Sequence, residues 1–198
     1  MICCASILLA AGDSSRLGSP KQVLKVKDET LLHRTARFAI EAGCSPNLVV
    51  LGAFADQLRT HLDGLAAEIV INPEWRNGMG SSLALAMHSL LSRLPLPEAV
   101  LLLVCDQPNL NPEFLHSLIA ALNDSGKPIV ASRYAGSAGV PALFTSALYP
   151  ELAAARDDHG ARAILARHSA ESVYVDFPMG EFDVDTPADK AILDAYSF

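Results

Sequence analysis

The stretch "LLAAGDSSRLGSPKQ", residues 8–22, decides how the chain is read. An apolar run ends here, and Gly12, Ser14, Ser15, Arg16, Gly18 and Lys21 follow at once. A plain link from strand to helix needs only about 2–6 residues. A longer loop of small and cationic groups after a buried strand is built to hold something.

Working outward, apolar runs of strand length alternate with helical patterns. Strands are expected over 2–10, 47–52, 68–72, 99–105, 128–132 and 172–177. Helices are expected near 30–42, 54–63, 80–93, 112–124, 145–155, 160–168 and 187–196. "AVLLLVC" (99–105) has no polar alternation, as expected for a strand covered on both faces. The alternation predicts an α/β fold with three layers, α/β/α, and a mostly parallel, Rossmann-like sheet. No repeat, low-complexity tract or linker interrupts it, so residues 1–198 are read as a single domain. In open sheets of this class ligands sit beyond the carboxyl ends of the strands. The segments that follow them, "AAGDSSRLGSPK", "NPEWRNGMGSS", "DQPNL" and "DVDTP", are polar or glycine-rich and should converge on one edge.

Composition narrows the partners. The chain is 51 % apolar, enough for a sizeable core, and carries a net charge of −7, which argues against a nucleic-acid surface. Yet Arg16, Lys21, Lys25 and Lys27 crowd one segment, a patch suited to a small anion. Cys3, Cys4, Cys44 and Cys105 show no metal or disulfide spacing and read as small apolar residues in a reducing compartment. Without a membrane-length run or a signal-like amino terminus, a cytoplasmic protein with no membrane partner is expected.

The first loop fits neither common phosphate fingerprint. After Gly12 the next glycine is Gly18, so G-x-G-x-x-G is missing; the Walker spacing also fails, and Ser19 and Pro20 follow Gly18. Pro20 lacks an amide hydrogen and disfavours a helix start, so the loop is expected to stay open and extended. It still offers what a triphosphate needs. Gly12 and Gly18 allow close backbone approach, Ser14 and Ser15 add hydroxyls, Arg16 gives a planar fork and Lys21 a point charge.

The acidic side comes from two distant segments. Asp106 directly follows the doubly buried strand, where a carboxylate needs a cation or donors, and Mg2+ is the cation expected beside a triphosphate. In "DVDTPADKAI", Pro187 suits the first helical position, with Thr186 as cap and Asp189 as its capping-box partner. Asp185 is then left free for the metal, with Asp183 on the same side of an extended segment; the spacing does not choose between them. In "NGMGSSLALAM", Ser81 or Ser82 is expected to cap the helix. Trp75 offers a ring for stacking or for packing.

These motifs, taken together and in order, resemble the molybdenum cofactor nucleotidyltransferases, and most of all their cytidylyltransferase branch. "LLAAGDSSRLGSPKQVL" is similar to the signature L-A-[AG]-G-x-S-x-R-x-G-x-x-K, and "NPEWRNGMGSSLALA", "VCDQP", "GVPALF", "DDHGAR" and "DVDTPAD" resemble the later motifs. The resemblance implies the nucleotide-diphospho-sugar transferase fold. It implies transfer of a nucleoside monophosphate, CMP from CTP foremost, to a phosphorylated acceptor such as molybdopterin, with release of pyrophosphate. Carried over residue by residue, it implies nucleotide binding by Leu9, Ala10, Ala11, Gly12, Ser14, Arg16, Gly18, Lys21, Gly80, Ser81 and Ser82. It further implies catalysis by Arg16, Lys21 and Asp106, and Mg2+ held by Asp106 and Asp185. The cytidylyl branch reads Leu-Ala-Ala-Gly where the guanylyl branch reads Leu-Ala-Gly-Gly, and here Leu9–Gly12 follow the former. Two departures concern the second substrate: Val140 stands where the molybdopterin enzymes commonly carry histidine, and Asp157 where glycine is usual. A guanylyltransferase, another phosphorylated acceptor, or a non-catalytic maturation factor for a molybdoenzyme client are the alternatives.

Overall fold

The computed structural model describes residues 2–156 and 160–195. The elements in chain order are β1 (Cys4–Ala10), a small hairpin of β2 (Lys25–Val26) and β3 (Glu29–Thr30), α1 (Leu31–Glu41), β4 (Asn47–Leu51), α2 (Ala55–Leu58), β5 (Glu68–Ile71) and α3 (Met79–Leu91). Then come β6 (Ala99–Val104), α4 (Pro112–Ser125), β7 (Ile129–Tyr134), β8 (Ser137–Thr145), α5 (Tyr149–Ala153), α6 (Arg162–Arg167), β9 (Ser172–Asp176) and α7 (Pro187–Ala195). The main sheet has seven strands in the order β5-β4-β1-β6-β8-β7-β9. All its pairings are parallel except those of β8, which runs antiparallel to both neighbours.

Strand alternation sorts the core into two layers. Leu8 and Ala10 of β1 face one side with Leu32 and Phe38 of α1 and Leu115 and Leu118 of α4. Ile7 and Leu9 face the other with Leu83 and Met87 of α3 and Ile164 of α6. A third cluster lies outside the sandwich: Leu17 of the first loop, Leu24, Val26, Leu31, Val184 and Leu193. It fastens the loop and the β2–β3 hairpin to α7, and so brings residues about 170 positions apart in sequence to one place.

The expected three-layer, mostly parallel α/β fold is the observed one. Differences are local. The sequence marks β8 only as a motif, because Gly139 and Pro141 sit inside it. The sheet tolerates them through an irregularity: pairing jumps from Ala131–Ala142 to Ser132–Gly139, and the Ser132 hydroxyl donates to the Pro141 carbonyl at 2.6 Å. The helix expected at 54–63 splits into α2 and a 3-10 turn over Arg59–Leu62, and that at 145–155 shortens to α5 after a 3-10 turn over Ser146–Leu148. Cys4, Cys44 and Cys105 are buried free thiols as expected, whereas Cys3 is exposed. Among the described residues no helix is long and apolar enough to cross a membrane.

Candidate functional site

The carboxyl ends of β1, β5 and β6 and the segment 183–186 meet along one edge. The first loop is not extended throughout, as Pro20 suggests it should be. It folds into a tight turn in which the Leu17 and Gly18 amides both donate to the Ser14 carbonyl, with Ser14 at φ 53° and Gly18 at φ 75°. A 3-10 turn, Lys21–Val23, begins directly after Pro20. A residue not marked from sequence shapes this loop. The Gln22 side chain, 1 % exposed, donates from Nε2 to the Ala10 carbonyl (3.0 Å) and the Gly12 carbonyl (2.9 Å). Its Oε1 accepts from the Ser14 hydroxyl (3.4 Å), which itself accepts from the Lys21 amide (3.0 Å). A buried amide whose two ends are both engaged fixes the backbone around it. The only sequence signal for this is its place beside Lys21.

The sequence treats the cations and the carboxylates as separate parts; the structure pairs them. Lys21 Nζ lies 2.6 Å from Asp106 Oδ2 and 2.7 Å from Asp185 Oδ1, and Arg16 Nη2 lies 2.6 Å from Asp185 Oδ2. Burial alone would lower the Lys21 pKa, but the charge of Asp106 and the bonds to both carboxylates hold it above its ordinary value. For Asp185, burial works to raise the pKa and is outweighed by Lys21 and Arg16, so its carboxyl sits below the usual range. Lys25 and Lys27 lie in the β2–β3 hairpin instead, with Lys25 in β2 and Lys27 at its turn.

Asp183 occupies a different setting. The Val184 amide donates to the Asp106 carbonyl at 2.9 Å and the Val184 side chain is fully buried, so Asp183 and Asp185 flank an anchored residue. Asp183 lines a cavity of about 190 Å³ with Gln107, Tyr134, Val140 and Arg162. Burial, followed by the charges of Asp106 and Asp185, pushes its pKa up to about 7. Gln107 Nε2 donates to the carbonyls of Val140 and Gly180, each at 3.1 Å. Asp106 Oδ1 and Gln107 Oε1 are buried without a hydrogen-bond partner among the described residues. The loop bearing both is steadied from behind by Arg34 of α1, whose Nη2 donates to the carbonyls of Pro108 (3.3 Å) and Leu110 (3.2 Å).

Two observations test whether a metal ion suits this site. A cation, the Lys21 ammonium, already bridges Asp106 and Asp185, and Asp106 keeps a second oxygen unpartnered. Among the described residues no three His, Cys, Asp or Glu side chains gather as a cage. Two carboxylates without a cage suit an ion that completes its shell with substrate phosphates and water. Asp106 and Asp185 could therefore hold one.

A cleft of about 410 Å³ runs from the loop along the start of α3, bordered by Ala11, Gly12, Lys21, Trp75, Met79 and Ser82. Leu9 also lines it, whereas Ala10 turns into the opposite core layer. The expected serine cap is absent. Gly78 occupies the N-cap, with no side chain on the first amides. Ser81 Oγ instead donates to the Gly78 carbonyl (2.8 Å), and Asn72 Nδ2 holds Ser81 Oγ (3.0 Å) and Ser82 Oγ (2.9 Å). Gly80 is buried against backbone: a Cβ there would lie 2.5 Å from the Arg156 carbonyl carbon. Thr186 and Asp189 form the expected capping box, with the Thr186 amide donating to Asp189 Oδ2 at 2.8 Å and the Asp189 amide to Thr186 Oγ1 at 3.3 Å. Asp157 and His159, from the motif "DDHGAR", lie outside the described residues.

Known proteins resemble this chain over most of its length. A nicotine blue oxidoreductase from Paenarthrobacter nicotinovorans is 30 % identical over 82 % of this chain and 81 % of its own length. The purine catabolism protein PucB of Bacillus subtilis is 26 % identical over 91 % of each chain. Among solved structures, Rv0371c from Mycobacterium tuberculosis is 31 % identical, covers 97 % of both chains and superposes with a TM-score of 0.77. A manganese complex of Rv0371c superposes with a TM-score of 0.73 at 29 % identity over 97 % of each chain. The profile of the MobA-like NTP transferase domain matches residues 6–173, which takes in the first loop, Asp106 and β8 and stops short of Asp183 and Asp185. With most of its length inside that match, the chain belongs to the MobA-like NTP transferase family and is a nucleotidyltransferase.

Proposed function

We propose that the chain transfers CMP from CTP to a phosphorylated small molecule, molybdopterin foremost, with Mg2+ as the metal. One observation carries the reading: Lys21, Asp106 and Asp185, from three distant segments, close on one another beside a loop of small residues and glycines. Cations held by carboxylates at the rim of the same pocket suit a substrate that brings its own negative charge and can take the carboxylates' place. Ala11, which borders the cleft, favours CTP over GTP, because its methyl narrows the wall where a purine's second ring would lie.

In this mechanism an oxygen of the acceptor phosphate forms a bond to the α-phosphorus. The bond from that phosphorus to the bridging oxygen breaks, and its electron pair leaves with pyrophosphate. Phosphoryl chemistry of this kind needs positioning and charge neutralisation more than covalent help. Arg16 and Lys21 neutralise the triphosphate and then the departing pyrophosphate. To do so, Lys21 trades its two carboxylates for phosphate oxygens, which frees Asp106 and Asp185. Those two residues would hold the metal ion, which when bound supplies further charge neutralisation at the phosphates. The Ser15 hydroxyl and the backbone at Gly12, which line the same pocket, orient the phosphates, while Gln22 and Ser14 keep the turn in shape. The acceptor enters from the side of Gln107 and Val140. Val140, in place of histidine, favours the second reading, a different phosphorylated acceptor handled by the same nucleotide chemistry.

Pyrophosphate release tests the proposal, measured with each of the four nucleoside triphosphates, with and without molybdopterin. The expected result is release with CTP and molybdopterin in the presence of Mg2+. Equal or faster release with GTP overturns the cytidylyl reading, and release with CTP that ignores molybdopterin overturns the acceptor.

A further inference from the structure

Arg76 takes no part in the phosphate chemistry, yet it borders the same cleft as Ala11 and Lys21. Its guanidinium carbon lies 4.3 Å from the centre of the Trp75 ring, and the residue is otherwise exposed. Among the described residues no carboxylate pairs with it. The two ends of the cleft differ in chemistry. Arg16, Lys21 and the serines crowd the end towards Asp185, where the phosphates belong. Leu9, Ala11, Trp75 and Met79 make the other end apolar, where a base belongs, and Arg76 is the cation at that end.

We propose that Arg76, steadied on the Trp75 ring, reads the edge of the nucleobase and is a specificity-determining residue; this rests on the nucleotidyltransferase reading of the cleft. Donors and acceptors decide which bases it suits. A guanidinium is a rigid fork of N–H donors with no acceptor, so it pairs best with two adjacent acceptors. Cytosine offers such a pair in O2 and N3, and guanine in O6 and N7. Uracil has an N–H between its two carbonyls, and adenine sets an amino group beside N7. Arg76 therefore separates cytosine and guanine from uracil and adenine. It cannot separate cytosine from guanine, a distinction left to the size of the wall at Ala11. Base selection is thus shared, with Arg76 testing hydrogen-bond pattern and Ala11 testing ring size.

Equilibrium dialysis of CTP, UTP, GTP and ATP against the wild type, Arg76→Ala and Arg76→Lys tests this without need of an acceptor. The wild type should bind CTP about 10-fold more tightly than UTP, within the range of a good bidentate contact. Arg76→Ala should bring the two within about 2-fold, mainly by weakening CTP. Arg76→Lys, which keeps the charge and loses the fork, should do the same. An unchanged ratio in both variants overturns the proposal, as does a wild type that binds CTP and UTP alike. Equal weakening of all four nucleotides also overturns it, since that marks a phosphate contact. Failure of the wild type to bind any of the four removes the nucleotide reading itself, a result distinct from any change in ratio.

Discussion

The two sides of the sheet edge differ in how their charges are settled. Around the first loop the polar groups are matched: Lys21 takes two carboxylates, Arg16 shares one of them, and Gln22 uses both ends of its amide. Around β8 they are not. Asp106 Oδ1 and Gln107 Oε1 lack partners among the described residues, and the carboxyl of Asp183 is pushed towards neutrality by burial and by its neighbours. A buried polar group without a partner costs about 1–3 kcal/mol, so an unsettled region persists where something else selects for it. On the proposed mechanism, the matched side is resting machinery, with each cation held until a triphosphate displaces its partner. The unmatched side reads as a surface finished only by its second substrate.

Substitutions can break or sharpen this contrast. Asp106→Asn touches both sides and should cost most. At 4 Å and an effective dielectric of 20, one unit-charge interaction is about 4 kcal/mol, which corresponds to roughly 1,000-fold in rate. Metal-dependent pyrophosphate release should fall by that order while the circular dichroism spectrum stays native. Retained turnover would take Asp106 out of the reaction.

Lys21→Ala comes next. A cation that stabilises the leaving pyrophosphate by about 2–4 kcal/mol changes the rate by roughly 30- to 1,000-fold. The loss should appear in kcat more than in KM, since negative charge grows on the leaving group. A change confined to KM would make Lys21 a binding residue only.

Asp183→Asn sharpens the comparison through stability. The carboxyl is held at about 7 in the fold, above its ordinary value of 3.8. A raised pKa means that the native state binds more protons, so stability is full below about pH 4 and is lost as pH rises through 7. Asparagine removes that loss. In chelator-containing buffer the variant should therefore be the more stable at pH 8, by no more than about 1–2 kcal/mol because solvent screens this exposed side chain, and should lose its advantage near pH 4. Urea melts at the two pH values check it; equal stability at pH 8 would mean that Asp183 ionises without penalty. Asp185→Asn should instead impair turnover severely, because Asp185 is tied to Lys21 and Arg16.

The smallest effect is expected at Ala11. Its methyl packs near Gly52, where an added Cβ would lie 2.9 Å from it, so the wall has little slack. Ala11→Gly should narrow the preference for CTP over GTP without inverting it, within the roughly 5- to 200-fold span of a steric preference of about 1–3 kcal/mol. The ratio of kcat/KM for the two nucleotides is the measurement. An unmoved ratio would clear Ala11 of the role.

What is legible in the sequence follows the range of the interactions. The central parallel strands β1 and β6 are readable because they are nearly continuous apolar runs, and the Thr186–Asp189 box because it closes within three residues. The strand β8 is not, since Gly139 and Pro141 argue against a strand until a neighbouring irregularity makes room for them. The serines look like caps because nothing local shows that Asn72, nine and ten residues earlier, claims their hydroxyls. The convergence of loops on one edge is foreseeable, whereas the pairing of Lys21 with Asp106 and Asp185 is not. It depends on closure over 85 and 164 residues, and no local pattern records that.

The backbone bond from Val184 to Asp106 has a consequence for the order in which the molecule is assembled. Every strand of the seven-stranded sheet is complete by Asp176, yet Asp185 and the helix that braces it come afterwards. Since chains emerge and fold from the amino terminus, a nascent molecule builds its sheet before its charge cluster exists. The segment around Val184 then acts as a keystone, set last and locking cations that until that moment have only one carboxylate to hold them. A chain clipped after residue 176 would hold every strand of the sheet but neither Asp183 nor Asp185 nor the helix behind them.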